Sequence, residues 1–230
     1  MMQVANGPTI LTTLEEKVDP AHTAVVVIDM QRDFTARGMF GDKLGLDISP
    51  MEALAERLRG FLADARAAEV PVIHVMSRYD PTYMSEPMHE RLHRLGLPRY
   101  CLSGTEGIEF HEGLEPEAGE TVVVKHRFDA FHGTDLHVVL AALGIKTVIL
   151  AGVAVHACVD STARHAYFLD YYVVFGSDLT GGAPTAAVHE MTLDSINSFF
   201  GVTATAEEIA ATWRGRVAAA AGAASEGGEA

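Results

Sequence analysis

Short runs of β-branched and aliphatic residues recur along the chain, separated by stretches of helical periodicity or by long loops. Ala24–Asp29, Val70–Ser77, Thr121–Lys125, Thr147–Ala151 and Tyr171–Phe175 have the length and branching of buried strands, and Val202–Thr205 reads as a short sixth. Met51–Glu69 carries Met51, Leu54, Leu58, Phe61, Leu62 and Ala65 near a 3.6-residue period. Ser49 and Glu52 are spaced as a capping box around Pro50. Thr134–Leu143, with Gly144 as its stop, and Pro184–Phe200 read as further amphipathic helices, and a last helix runs through Trp213. Strands that alternate with helices predict an α/β fold: a three-layer α/β/α sandwich around a central, mostly parallel six-stranded sheet.

That topology places chemistry. Right-handed crossovers put the carboxyl ends of the strands on one edge, where open α/β sheets bind ligands. Asp29 closes the first run, Lys125 the third, and Cys158 follows the fourth across Gly152. A helix read from Ala157 to Leu169 puts Cys158 in its first turn. There the helix dipole and free backbone N–H groups favour a thiolate and a developing oxyanion. Taken singly, Cys158 is equally a small buried hydrophobe, and Asp29 or Lys125 a strand-end charge reaching solvent. Three complementary residues on one edge weaken those readings together.

The stretches VVVIDMQRDF around Asp29, VVVKHRFDAFHGTDLHVVLAALGI from Val122 and AGVAVHACVDSTARHA from Ala151 resemble the isochorismatase-like cysteine hydrolases, in order and spacing, over about Thr23 to Gly201. The resemblance implies strand order 3-2-1-4-5-6 and a catalytic triad of Asp29, Lys125 and Cys158. It implies an oxyanion hole from the backbone N–H groups of Ala154 and Cys158, and a cis peptide between Val153 and Ala154. The loop Ala154-Val155-His156 departs from the Thr or Ser usual there. Candidate substrate contacts are Gln31, Phe34, Phe128, Asp129, His132 and His156; Phe34 alone also reads as a core staple. Lys125 and the helix N-terminus are expected to lower the thiol pKa, with Asp29 as proton acceptor and donor.

Cys158-Val159-Asp160-Ser161-Thr162 and Ser195–Gly201 look most like the ureidoacrylate, biuret and N-carbamoyl amidohydrolase group, which cleaves urea-type C–N bonds and releases ammonia through a thioester. Isochorismatases that cleave a vinyl ether lack the nucleophilic Cys, and Cys158 argues against them. Nicotinamidases carry a metal-binding Asp and His pair. No D-x-H stands in the matching segment here, and His74, His89 and His93 read as surface or packing histidines, so no metal or cofactor is expected. Asp129, where a small polar residue is usual, favours a neutral or cationic ureide if it faces the pocket; the alternative is that it points away or pairs with Arg127. An amidase on another small amide, or a small-molecule or redox-sensing protein on the same fold, stays open.

Of the 230 residues, Asp and Glu number 31 and Lys and Arg 17, a net charge of −14 that argues against nucleic-acid and anionic-membrane partners. The partner expected is a small-molecule amide or ureide, with a homo-oligomer, dimer or tetramer, implied by the resemblance. Cys101 and Cys158 have no disulfide-framework or zinc spacing, and a working thiol needs a reducing compartment. Met1–Pro8 lacks the charged and apolar regions of a signal peptide, and the cytoplasm is the default expectation. The organisation expected is an arm over 1–22, a hydrolase domain over 23–215 with a long excursion at 78–119, and a tail at 216–230 too poor in large apolar residues to pack and expected to be disordered.

Overall fold

The computed structural model describes residues 1–5 and 7–226. Six strands build one sheet: β1 Thr23–Ile28, β2 Val72–Ser77, β3 Thr121–Lys125, β4 Thr147–Val153, β5 Tyr172–Gly181 and β6 Val202–Ala204. Their order is β3-β2-β1-β4-β5-β6, and every pairing is parallel. β1 is central and all six of its residues are buried, as a strand covered on both faces must be.

The pleat divides the core. Val25 and Val27 face α1 (Ser49–Ala67) and α6 (Ala206–Glu226). Ala24, Val26 and Ile28 face α3 (Leu136–Ala142), α4 (Asp160–Phe168) and α5 (Ala186–Phe199). The three expected layers are present. Burying each Val or Ile side chain is worth about 1.5–3 kcal/mol, so these two aliphatic faces hold the sheet between the helix layers.

The ends of the elements differ from the sequence reading for identifiable reasons. Ser49 does not cap α1: its backbone N–H and its hydroxyl both donate to Asp47 Oδ1, at 2.9 and 2.6 Å, and Ile48 is the cap residue. β4 does not stop at Gly152 but runs to Val153. Gly152 has φ +108° and is paired with Ile28; a Cβ there would lie 2.0 Å from the Ile28 carbonyl oxygen. Glycine thus permits a close strand approach where the sequence suggested a break.

The arm expected over residues 1–22 contains short elements among its described residues. Met2–Gln3 pairs antiparallel with Thr9–Ile10, and Thr13 and Glu16 form a capping box on a one-turn helix, Leu14–Lys17. The Trp213 indole donates to the Val18 carbonyl at 2.7 Å and packs on Phe61, which ties this segment to α1 and α6. α6 continues past Trp213 to Glu226; residues 227–230, the end of the tail expected at 216–230, lie outside the described residues. Alanine has the highest intrinsic helix propensity, so an Ala-rich segment can propagate a helix without large apolar side chains.

The excursion between β2 and β3 contains α2 (Glu86–Leu95), ended by Gly96 at φ +62°, and a 3-10 turn at Glu106–Ile108. Tyr79, Tyr100, Cys101 and Leu92 form its small buried cluster above the carboxyl edge of the sheet.

Candidate active site

Asp29 follows β1 with φ +54°, a left-handed conformation that turns the chain out of the strand. Lys125 is the last residue of β3 and Ser77 the last of β2. Asp29 is 1% exposed, and Lys125 and Ser77 are fully buried. Three adjacent parallel strands therefore deliver a carboxylate, an ammonium and a hydroxyl to one point.

The polar atoms there are nearly saturated. Lys125 Nζ lies within donating distance of Ser77 Oγ at 2.9 Å, the Arg127 carbonyl at 3.1 Å and Cys158 Sγ at 3.4 Å. Nζ also stands 2.8 Å from Asp29 Oδ2 as an ion pair. Ser77 Oγ donates to Asp29 Oδ1 at 2.9 Å and lies 3.0 Å from the Tyr79 hydroxyl. Asp29 Oδ2 is held by that ammonium, and the carboxylate lies within hydrogen-bond reach of the Cys158 thiol.

Cys158 enters from the other side. The Val153–Ala154 peptide is cis, and the chain then makes a π turn over Val155–Val159 before α4 begins at Asp160. The expected first α-helical turn at Ala157 is therefore a π turn, closed by Val159 N–H donating to the Ala154 carbonyl at 3.2 Å. The Thr162 hydroxyl donates to the Cys158 carbonyl at 2.7 Å. Such single wide turns occur often at functional sites because they re-aim one side chain.

The thiol is not the expected low-pKa thiolate. Burial pushes Cys158 up to about 12, the Asp29 carboxylate adds to the rise, and Lys125 opposes both without prevailing. Burial works to lower the Lys125 pKa, but the Asp29 carboxylate leads the groups that raise it and keeps the ammonium protonated. The resting state is a thiol beside a carboxylate–ammonium pair.

The candidate contacts separate on inspection. Gln31 is fully buried and committed: Nε2 donates to the carbonyls of Ser77 and Ile108 at 3.0 and 2.8 Å, and Oε1 accepts from Ser77 N–H at 2.7 Å. It clamps Ser77 and the excursion, and both of its amide protons are spent. Asp129 faces away, with Oδ2 2.5 Å from His165 Nδ1 and Oδ1 accepting from Phe131 N–H. Its partner is His165, not Arg127, and the preference for a neutral substrate loses its basis. His132 and His156 are exposed and make no hydrogen bond among the described residues. Phe34 packs edge-on against Tyr100 at 5.8 Å, while Phe128 lines a narrow cavity with Tyr79 and Tyr100. His74 is buried, 2.9 Å from Glu120 Oε2; His89 is half-buried and His93 exposed.

Ser77, Tyr79 and Tyr100 escaped the sequence reading. Ser77 had a usable signal, since it closes an apolar strand beside Asp29 and Lys125. Asp33 also acts here: its Oδ2 accepts from Cys101 N–H at 2.6 Å and anchors the excursion at the end of β1. A larger cleft of about 960 Å³, lined by Arg32, Glu52, Arg59 and His111 among others, contains none of Asp29, Lys125 and Cys158. Among the described residues no group of three or more His, Cys, Asp or Glu side chains is arranged to hold a metal ion.

A sequence profile of the isochorismatase domain matches residues 23–208. The chain belongs to the isochorismatase family of hydrolases. Within that family, a ureidoacrylate amidohydrolase, RutB, of Methylorubrum extorquens is 32% identical over 211 residues, covering 85% of each chain. A cysteine hydrolase from Pseudomonas syringae pv. phaseolicola superposes with a TM-score of 0.75 at 26% identity, covering 86% of this chain and 95% of that one. An isochorismatase family protein from Desulfovibrio vulgaris gives 0.70 at 32% identity, covering 80% and 94%.

Proposed function

We propose that this isochorismatase-family hydrolase is a cysteine-dependent amidohydrolase that cleaves a C–N bond of a small ureide or carbamoyl amide and releases ammonia. The observation that carries the reading is Cys158 Sγ at 3.4 Å from Lys125 Nζ, with Asp29 Oδ2 2.8 Å from the same ammonium. The similarity to ureidoacrylate amidohydrolases supports the choice of bond.

The steps follow from the resting protonation state. A thiol held up to about 12 loses its proton only as it attacks, so Asp29 Oδ2 takes the proton while Sγ bonds to the carbonyl carbon. Lys125 stays cationic and offsets the negative charge that reaches sulfur. Backbone N–H groups of Ala154 and Cys158 hold the oxyanion; one such donor is worth about 3–4 kcal/mol in kcat. Asp29 returns the proton to the nitrogen, ammonia leaves, and a thioester remains. Water, deprotonated by Asp29, attacks the thioester and restores the thiol. A reducing compartment such as the cytoplasm suits this chemistry. Tyr167, Phe168, Met191 and Phe199 are exposed large hydrophobic residues, which favours a homo-oligomer.

The test is ammonia release from ureidoacrylate, biuret, N-carbamoylsarcosine, nicotinamide and simple primary amides, with Cys158→Ser as the blank. Release confined to the ureides, and absent in the variant, is expected. Preferred release from nicotinamide would replace the ureide assignment. Release from none of them would overturn the amidohydrolase reading.

A further inference from the structure

Most cations around the site have partners. Lys125 is fully used, Arg78 lies over the Tyr83 ring beside Asp80, and Arg127 donates to the carbonyls of Tyr83 and His126. Arg91 is different. It is half-buried on α2, and among the described residues it makes neither an ion pair nor a hydrogen bond. Its helix offers it no acid: the positions three and four residues away are Pro87, Met88, Arg94 and Leu95. The adjacent Glu90 is taken by Arg94 at 2.8 Å.

Arg91 instead turns toward the chemistry. Its guanidinium lies 5.5 Å from the centre of the Phe128 ring, and the two line one cavity with Tyr79, Met84, Met88 and Tyr100. Tyr79 is the link to the reacting atoms, since its hydroxyl is 3.0 Å from Ser77 Oγ. The cavity thus has Tyr79 on the side of the triad and a cation without an anion in its wall. A guanidinium is always charged and presents paired donors suited to a carboxylate. The ring beneath it holds the group in place without neutralising it.

We propose that Arg91 is a specificity-determining residue that binds a carboxylate of the substrate, so the preferred ureide is an anion. The proposal rests on the amidohydrolase reading above and narrows its substrate class. As closed, the cavity is about 10 Å³, room for one water-sized group. The substrate enters by displacing Met84 and Met88, whose unbranched thioether chains repack easily.

The experiment compares ureidoacrylate with its methyl ester, which keeps the shape and loses the charge. Substrates are assayed by ammonia release on the wild type, Arg91→Leu and Arg91→Lys. The wild type is expected to prefer the acid. In Arg91→Leu, kcat/KM for the acid falls about 10- to 100-fold, mostly through KM, as expected for loss of a hydrogen bond to a charged group. The fall on the ester is at least tenfold smaller, and Arg91→Lys recovers part of the loss. Equal falls on both substrates would make Arg91 a packing residue and overturn the proposal; so would a wild type indifferent to the charge. If the wild type releases ammonia from neither, the amidohydrolase reading fails on its own. Calorimetric titration of ureidoacrylate into Cys158→Ser and Cys158→Ser/Arg91→Leu then decides Arg91 separately. Weaker binding to the double variant supports the assignment, and equal or absent binding overturns it.

Discussion

The Ser77 hydroxyl donates to Asp29 Oδ1 at 2.9 Å, while Oδ2 faces the Lys125 ammonium at 2.8 Å. The two oxygens of one carboxylate thereby have different partners. Oδ1 anchors the carboxylate and Oδ2 carries the ion pair beside the thiol. Removing the hydroxyl should free the carboxylate and strand Oδ1 in a buried site. Ser77→Ala is expected to lower kcat about 10- to 100-fold through misplacement of the base. It should also cost about 1–3 kcal/mol for the unsatisfied acceptor. Steady-state kinetics and urea unfolding on one preparation check both.

Asp29→Asn separates thiol reactivity from turnover. Asp29 is second only to burial in raising the Cys158 pKa, and Lys125 opposes it. With the carboxylate gone, only burial opposes Lys125 and the thiol pKa falls. Alkylation by iodoacetamide at pH 8 should become faster than in the wild type, while turnover drops by about 10²–10⁴-fold with loss of the general base. Lys125 is then a buried cation without its counter-ion, at a cost of about 3–5 kcal/mol, so labelling is done below the variant's melting transition. Slower labelling in the variant would contradict the charge assignment.

Glu120 carries a pH signature away from the site. Burial tends to raise its pKa, but Arg66, the Glu117 N–H and His74 outweigh it and hold it down to about 2. An unfolded glutamate titrates near 4.3, so the folded state binds fewer protons between those values. The stabilisation is full above about pH 4.3 and is lost as pH falls toward 2. Glu120→Gln should be less stable than the wild type at pH 7, and the difference should close on acidification. A gap independent of pH would mean that the side chain acts by packing.

Gly152→Ala should unfold the edge that carries the site. Its Cβ would meet the Ile28 carbonyl at 2.0 Å, in a backbone conformation that L side chains rarely adopt. Strain and overpacking together should cost about 3 kcal/mol or more, read as a drop in the thermal midpoint. Gly60→Ala, with open space around it on α1, is the matched control.

The sheet and the meeting of Asp29, Lys125 and Cys158 were legible because both depend on short-range pattern. A β-branched run of strand length ending in a charge says where the strand is and where its last side chain goes, and this located Asp29 and Lys125. The features that were missed depend on what meets across the fold. Gln31 looked like a substrate contact until Ser77 and Ile108, far away in sequence, were seen to consume its amide. Asp129 follows the same rule, since His165 on α4 draws it from the pocket. The thiol pKa was misjudged because proximity to a lysine is visible in a motif, whereas full burial and the opposing Asp29 charge are tertiary facts.

The central claim is that Cys158 attacks the substrate and carries it as a thioester. Acid-quenching the wild type during turnover of ureidoacrylate, then weighing the Cys158 peptide by mass spectrometry, tests it most directly. An acyl adduct on that peptide that decays as substrate runs out is expected, with no adduct or turnover in Cys158→Ala. Sustained turnover by Cys158→Ala, with the wild-type peptide unmodified throughout, would contradict it.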